Sequence, residues 1–335
     1  MSKPLIRVIG SLHLDFVTIT PRCPSAGETL QGSSFDIGAG GKGANQAAAC
    51  GRASFVSTNE QDVEVEMVGA VGKDDPYYAS LLQPALQKSG VSTTHIAHIA
   101  GTTTGSATII VEATGENRII FVPGAGFIGN DDREEVLSRG SDREPDVVVL
   151  QGEIPRDTIL AVIEHYNASE NTQVVFNPAP VFPEGVPIRV LRGLAALVVN
   201  ESEALLLMKS MADEVMNESH AEREEELDQN ALKTVSQNLH AVGVLTVIIT
   251  LGSKGVFWSR QDRGSAVINA TKVEKVVDTT AAGDTFVGYF TTELARASAQ
   301  KKELDVAIAC GKASEAAAKC VTRPGAMQSI PFGYE

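Results

Sequence analysis

Val147-Val148-Val149-Leu150, followed at once by Gln151-Gly152-Glu153 and then by a helical pattern over Asp157–Tyr166, decides the fold class. A run that is β-branched and apolar on both sides reads as a strand buried on both faces, which is the signature of a parallel sheet. Working outward, Ile6–Ile9, Val65–Gly69, Val174–Phe176, Leu197–Val199 and Val247–Thr250 repeat the pattern, with helical stretches such as Asn230–Val242 between most of them. The alternation predicts an α/β fold with a mainly parallel sheet. Polar residues stand directly after the runs: Gln151 and Glu153, Asn177, Asn200 and Glu203, Gly252 and Ser253. Open α/β sheets bind ligands at the carboxyl ends of their strands, so these residues mark one candidate site. Each alone also reads as a helix cap or turn residue.

Two regions interrupt the rhythm. His13–Ile37 carries Pro21, Pro24 and Gly27 among strand-like pieces, and Ser106–Glu112 with Arg118–Val122 reads as a hairpin turned by Gly115 and Asn117. Together they predict a small β-sheet outside the main layer, acting as a lid; the alternative is a surface hairpin without a role. Met211–Gln229 gathers eight acids against the single base Arg223, a solvated helix or insertion to which no chemistry is assigned. No internal repeat is evident.

The chain has 335 residues, a formal charge of −14 and 43% hydrophobic residues, enough for a substantial core. The negative charge argues against nucleic acid or an anionic membrane as main partner, but not against a locally built phosphate site. Met1–Arg7 lacks the apolar segment of a signal peptide, and no apolar run reaches the ~18 residues of a membrane span. Cys23, Cys50, Cys310 and Cys320 show no metal spacing and read as reduced thiols. The expected location is the cytoplasm, with the nucleus as an additional one.

Two glycine-bearing segments carry the chemistry. Asp278-Thr279-Thr280-Ala281-Ala282-Gly283-Asp284-Thr285 stacks small residues and an acid ahead of an amphipathic helix from about Thr285 to Ala297. A helix N-terminus presents unpaired N–H groups and about half a positive charge, and small residues let a phosphate approach them. A carboxylate there does not help an anion bind, but it takes a proton from a hydroxyl attacking phosphorus. The combination suggests a kinase; the alternative for Asp284 is an N-cap. Gly40-Gly41-Lys42-Gly43-Ala44-Asn45-Gln46 belongs to a formal G-x-G-x-x-G at Gly38–Gly43, yet the polar Gly32–Ile37 ahead of it is no buried strand, which disfavours a dinucleotide site. Gly43 after Lys42 also removes the Ser or Thr of a Walker A loop. Donors from Lys42 and Asn45 beside exposed backbone suit a polyol instead. Asp15, just past the end of the first strand, is a second polyol candidate or a turn cap.

These two segments resemble those of the ribokinase-like carbohydrate kinase family, and the resemblance runs from about Ile6 to Pro331. It implies a three-layer sandwich over residues 1–335, with 13–37 and 104–122 inserted as a β lid. It implies transfer of phosphate from ATP to the 5-hydroxyl of D-ribose. By the family pattern Asp284 is the base, and Ala281, Ala282 and Gly283 form the anion hole. Asp15, Gly41, Lys42, Asn45 and Glu153 match sugar-binding positions, with Ala107, Ile109 and Phe121 as the apolar lid face. Asn200 and Glu203 match an N-x-x-E motif acting on Mg²⁺ and phosphate, largely through water. Thr250, Gly252, Gly255 and Ser314 match nucleotide-binding positions. A monovalent cation, K⁺, is implied at Asp278, Thr280, Cys320, Arg323, Gly325 and Ser329, several through carbonyls only; the alternative is an ordinary turn around Pro324-Gly325.

The chain departs from the pattern at His13, where family members often carry Asn, and at Pro324, which replaces a residue that is often basic. Rival readings are a kinase of a nucleoside, 2-deoxyribose or a ketohexose, a non-catalytic sugar sensor, and a dehydrogenase. A homodimer formed through the open edges of the lid is expected.

Overall fold

The computed structural model describes residues 2–114, 116–216 and 227–335. The turn glycine Gly115 and the greater part of the acidic run 211–229 lie outside them. In chain order the strands are β1 (Leu5–Ile9), β2 (His13–Thr20), β3 (Ser34–Gly40), β4 (Phe55–Ser57), β5 (Glu60–Gln61), β6 (Glu64–Gly72), β7 (Val91–Ser92), β8 (Ile96–Ile99), β9 (Gly105–Glu112), β10 (Asn117–Val122), β11 (Val147–Gln151), β12 (Gln173–Asn177), β13 (Ala196–Asn200), β14 (Thr246–Thr250), β15 (Val256–Arg260) and β16 (Gly264–Ile268). The central sheet has ten strands in the order β16-β15-β14-β13-β12-β11-β1-β6-β7, with β8 also paired to β6. It is parallel from β14 to β7 and β8, and β15 and β16 extend it antiparallel.

Alternation along these strands makes three layers. Ile6 and Val8, and Val147 and Val149, enter a core shared with helices Lys42–Ala53, Ala282–Ala299 and Val306–Cys320. Ile9, Val148 and Leu150 enter the opposite core, with helices Arg156–Asn167, Glu201–Met216 and Gln229–Ala241. A strand with neighbours on both faces has no polar side to spare, hence the uninterrupted apolar runs.

The second sheet has four strands in the order β10-β9-β2-β3. β2 and β9 run parallel and the other pairs antiparallel. The first lid segment extends to Gly40, past the predicted limit of Ile37, and so leads straight into helix Lys42–Ala53. β3 therefore does precede the G-x-G-x-x-G, but as an antiparallel edge strand of the small sheet, which removes the dinucleotide reading.

Helix Ala282–Ala299 starts three residues before the predicted Thr285. Ala281 adopts the left-handed conformation, φ 62°, and turns the chain into the helix there. Alanine and glycine carry no amphipathic signal, so the apolar spacing of Phe286, Val287, Phe290 and Leu294 marks only the later turns. This helix lies tightly on Lys42–Ala53, because Gly288 faces Ala49 and Cys50: a Cβ on Gly288 would fall 2.3 Å from Ala49 Cβ and 2.7 Å from Cys50 N. Neither neighbour can swing aside. Gly288→Val is expected to cost ~1–3 kcal/mol by overpacking, read as a lower urea midpoint; an unchanged midpoint would show that the two helices tolerate separation.

Candidate active site

Two helix N-termini meet at the carboxyl ends of the central strands. Helix Lys42–Ala53 is entered through Gly41, whose φ of 89° suits glycine. Its first turn is docked on the end of β1: the Gly43 N–H donates to Ser11 Oγ at 3.2 Å and the Ala44 N–H to Ser11 O at 2.9 Å. Asn45 and Gln46 are thereby aimed at Asp284 in the first turn of Ala282–Ala299. Asn45 Nδ2 donates to Asp284 Oδ2 and Gln46 Nε2 to Oδ1, each at 3.0 Å. Asp284 is only 7% exposed. Burial pushes its carboxyl above the ordinary range, against the pull of Lys42, Gln46 and Asn45, and Glu153 adds to the rise. A buried carboxylate held at both oxygens, with basicity raised toward neutrality, is suited to accept a hydroxyl proton.

Glu153, just beyond β11, ties the surroundings together. Its Oε2 accepts from Ser11 Oγ at 2.6 Å and from the Lys42 N–H at 2.8 Å, with His13 Nδ1 3.7 Å away. Lys42 keeps its charge firmly, its pKa raised chiefly by Asp284. His13 is buried, its ring centroid 4.6 Å from that of Phe121, and burial lowers its pKa despite Glu153. From the second sheet, register places Asp15 between Gly38 and Ala107, Ala107 beside Phe121, and Ile109 beside Val17 and Ile119. Directly paired residues share a face, so Asp15, Ala107, Ile109 and Phe121 line the same side of the sheet. The Asp15 carboxyl lies against Gly40, where a Cβ would come within 2.5 Å of its oxygens. Buried His13 Nε2 and Asn45 Oδ1 have no partner among the described residues.

The small residues behave unequally. Of the predicted anion hole of Ala281, Ala282 and Gly283, the Ala282 N–H is engaged with Thr279 O at 3.2 Å; the Gly283 N–H stands at the open helix end beside that of Asp284, which the prediction did not include. A Cβ on Gly283 would meet nothing within 4 Å. Asn200 and Glu203 form a reciprocal capping box: the Asn200 N–H donates to Glu203 Oε2 at 2.9 Å, and the Glu203 N–H to Asn200 Oδ1 at 2.8 Å. Burial raises the Glu203 pKa, partly offset by Asn200 and Lys42. Thr250 closes β14, and Gly252 and Gly255 bracket the tight turn Gly252–Lys254. Ser314 is half-buried on Val306–Cys320. No group of three or more His, Cys, Asp or Glu among the described residues is placed to hold a metal ion. A cavity of about 740 Å³ at the start of Arg156–Asn167, lined by Phe127, Asp131 and Glu184 among others, includes none of these residues.

Behind the helix N-terminus, Asp278 Oδ1 accepts from the Thr280 N–H at 2.9 Å and from Thr280 Oγ1 at 2.6 Å, and its Oδ2 from the Gly325 N–H at 2.9 Å. Burial opposes ionisation of Asp278, but these three bonds outweigh it and hold its pKa low. Cys320 Sγ lies 3.7 Å from Thr280 O and 3.0 Å from Ser329 Oγ. The Arg323 side chain turns away to Glu335. Arg52, at the far end of Lys42–Ala53, donates to Ile330 O at 2.5 Å and so braces the same segment.

Sequence reasoning passed over Ser11 and Gln46 as site residues, and used Gln151 and Asn177 only as strand-end markers. Gln46 stood within the quoted glycine segment, and Gln151 and Asn177 among the polar strand ends; both signals pointed to one place.

Asp15 offers a test of this geometry. Burial, then Glu153 and Asp284, push its pKa up to about 7, whereas the unfolded value is about 3.9. Between these values the folded state holds the extra proton, so stability falls as pH rises from about 4 to about 7. Asp15→Asn removes this term. Its melting temperature relative to the parent is therefore expected to improve from pH 5 to pH 8; a constant difference would show that Asp15 is not held among these acids.

Comparison with known proteins agrees with this geometry. A family model described as pfkB family carbohydrate kinase matches residues 3–332. The chain is 38% identical to a ribokinase of Schizosaccharomyces pombe, over 97% of this chain and 94% of that protein. It is 34% identical to a ribokinase of Haemophilus influenzae, over 99% and 97%. Its fold is similar to that of an Arabidopsis thaliana ribokinase complexed with ribose and ATP, with a TM-score of 0.77 at 27% identity, over 99% of this chain and 97% of that one. The small sheet, the paired helix N-termini and these matches lead to one conclusion: the chain belongs to the pfkB family of carbohydrate kinases.

Proposed function

We propose that this chain transfers the γ-phosphoryl group of ATP to the 5-hydroxyl of D-ribose, giving D-ribose 5-phosphate and ADP. The carrying observation is the Asp284 carboxylate, buried at a helix N-terminus and held by Asn45 and Gln46 of the glycine segment. Asp284 takes the hydroxyl proton as the new O–P bond forms and the bond to the β,γ-bridging oxygen breaks. The Gly283 and Asp284 N–H groups receive charge growing on the transferring phosphoryl group. Similarity to kinases of ribose supports the substrate, as do the unpartnered buried atoms of Asn45 and His13, which a hydroxyl-rich ligand would satisfy. Asp15, Lys42, Glu153 and the main chain at Gly41 are the remaining sugar contacts in this reading, beneath the apolar face of Ala107, Ile109 and Phe121. Thr250, Gly252, Gly255 and Ser314 border the nucleotide. Closure of the small sheet would exclude water and limit ATP hydrolysis.

The residues present fit two cations. Asp15, Glu153, Glu203 and Asp284 face one lysine, Lys42, which leaves triphosphate charge to be neutralised from outside the protein. Mg²⁺ bound mainly by phosphate and water would meet that need without a protein cage, and Asn200 and Glu203 would be the residues nearest to hold its water shell. The oxygen-rich loop of Asp278, Thr280, Gly325 and Ser329 would hold K⁺, and Cys320 and Arg323 could add main-chain oxygens.

A second reading keeps the reaction and changes the acceptor, because His13 packs against Phe121 above Glu153, where its ring restricts the space. The open edge strand β10, with Ile119 58% and Ile120 66% exposed, supports a homodimer through the small sheets.

The test is ADP release from Mg·ATP with D-ribose, 2-deoxyribose, fructose or adenosine, each with and without K⁺. Turnover dependent on ribose and increased by K⁺ is expected; preference for another acceptor would move the assignment to the second reading. Asp284→Asn is expected to lower kcat by ~10²–10⁴ with little change in sugar affinity. If Asp284 were only a cap, the variant would instead lose ~1 kcal/mol of stability and keep its turnover. For the dimer, Ile120→Lys should halve the mass measured by light scattering; an unaltered dimer would exclude this edge.

A further inference from the structure

The Asp284 carboxylate ends a buried line of side-chain amides that begins at a main-chain carbonyl. Asn177 Nδ2 donates to Val198 O at 2.8 Å. Gln46 Nε2 donates to Asn177 Oδ1 at 2.9 Å as well as to Asp284 Oδ1 at 3.0 Å. Gln151 Nε2 donates to Gln46 Oε1 at 2.9 Å. Gln46 is 0%, Gln151 1% and Asn177 8% exposed.

The direction of this line follows from chemistry. A main-chain carbonyl only accepts, so Val198 O fixes the NH₂ end of Asn177 toward itself and leaves Asn177 Oδ1 facing Gln46. That oxygen also only accepts, so it draws the NH₂ end of Gln46 and leaves Gln46 Oε1 for Gln151. With both donor positions of Gln46 then assigned, the second one falls on Asp284. Reversing any amide would set oxygen against oxygen in a dry interior, where an unmade bond costs most.

We propose that Gln46, oriented by Asn177 and Gln151, is a positioning residue that fixes the Asp284 carboxylate and keeps it an acceptor. The proposal rests on the reading of Asp284 as the base. Gln46 has no exposed surface and cannot touch substrate; its effect reaches the reaction through Asp284 alone. Asn45 holds the second oxygen, so the plane of the carboxylate is set from two sides while its remaining lone pairs serve the attacking hydroxyl. The charged groups around Asp284 come from four elements: Lys42 on the first helix, Glu153 beyond β11, Asp15 on β2 and Glu203 on helix Glu201–Met216. Three of these four are acids, so beside Lys42 the neutral amide donors favour the ionised carboxylate without adding a competing charge.

Gln46→Glu is nearly isosteric and replaces a donor with a carboxyl group. The pair would share a proton, and the acid limb of kcat/KM against pH should move up by about one unit or more. Ribose affinity by calorimetry at pH 8 should stay within about threefold of the parent, because Gln46 lies outside the sugar's reach. Asn177→Ala never touches Asp284, yet it should lower kcat about tenfold through misplacement of Gln46, and shift the same limb in the same direction. A packing role alone predicts lower melting temperatures with the parent pH profile. Folded Gln46→Glu and Asn177→Ala variants with parental profiles and kcat would overturn the proposal, provided Asp284→Asn is inactive; an active Asp284→Asn would instead overturn the reading of Asp284 as base.

Discussion

The contact on which the molecule depends joins residues almost at opposite ends of the chain: the Asn45 and Gln46 amides on the two oxygens of Asp284. It fixes the relative rotation of two helices whose N-termini must converge, and it does so where all three side chains are buried. The small residues where the helices touch, Ala49 and Cys50 on one side and Gly288 on the other, follow from that requirement. Larger side chains would push the axes apart and pull the amides from the carboxylate. The tight packing of the core and the placement of the Asp284 carboxylate are one constraint, read at two levels.

Electrostatics follow from the same contact. A buried carboxylate is unstable unless it is paired or hydrogen-bonded, and Asp284 has both kinds of support in Lys42 and the amides. Lys42 also faces Glu153 and Glu203. One lysine among four acids leaves the site electronegative, unfavourable for a bare triphosphate and favourable for one carried with divalent cation. In the proposed reaction the positive end of helix Ala282–Ala299 would act locally, on a phosphoryl group beside Gly283.

Much of this was legible in the chain. The central strands could be read from β-branched runs because burial on both faces leaves no polar alternation to confuse them. The side of the sheet carrying the site could be read from Gln151, Asn177 and Asn200, which stand where those runs stop. The start of helix Ala282–Ala299 was not legible, since Ala281 enters it through a left-handed backbone that composition does not announce. Nor were the roles of Gln46, Gln151 and Asn177, whose meaning lies in contacts 131 and 105 positions away along the chain. Asn200 and Glu203 show a different ambiguity: one spacing reads both as a capping box and as the proposed phosphate-facing pair, and their reciprocal bonds display the capping role directly.

The small sheet is not an appendage hinged at a distance. β1 passes into β2 across three residues, and β3 passes into helix Lys42–Ala53 through Gly41. Glu153 grips that junction by accepting from Ser11 and from the Lys42 N–H, with His13 beside it. A displacement of the sheet must therefore be absorbed between this grip and Asp15, two residues farther along β2 than His13. The carboxyl of Asp15 lies against Gly40, the last residue of β3, so the strand that carries one acid is packed and paired against the strand that leads to the lysine. In the proposed reading, closing the sheet over a ligand would also bear on the first turn of helix Lys42–Ala53. The helix turn in question bears Asn45 and Gln46, which is how a sheet outside the main layer becomes coupled to the carboxylate at its centre.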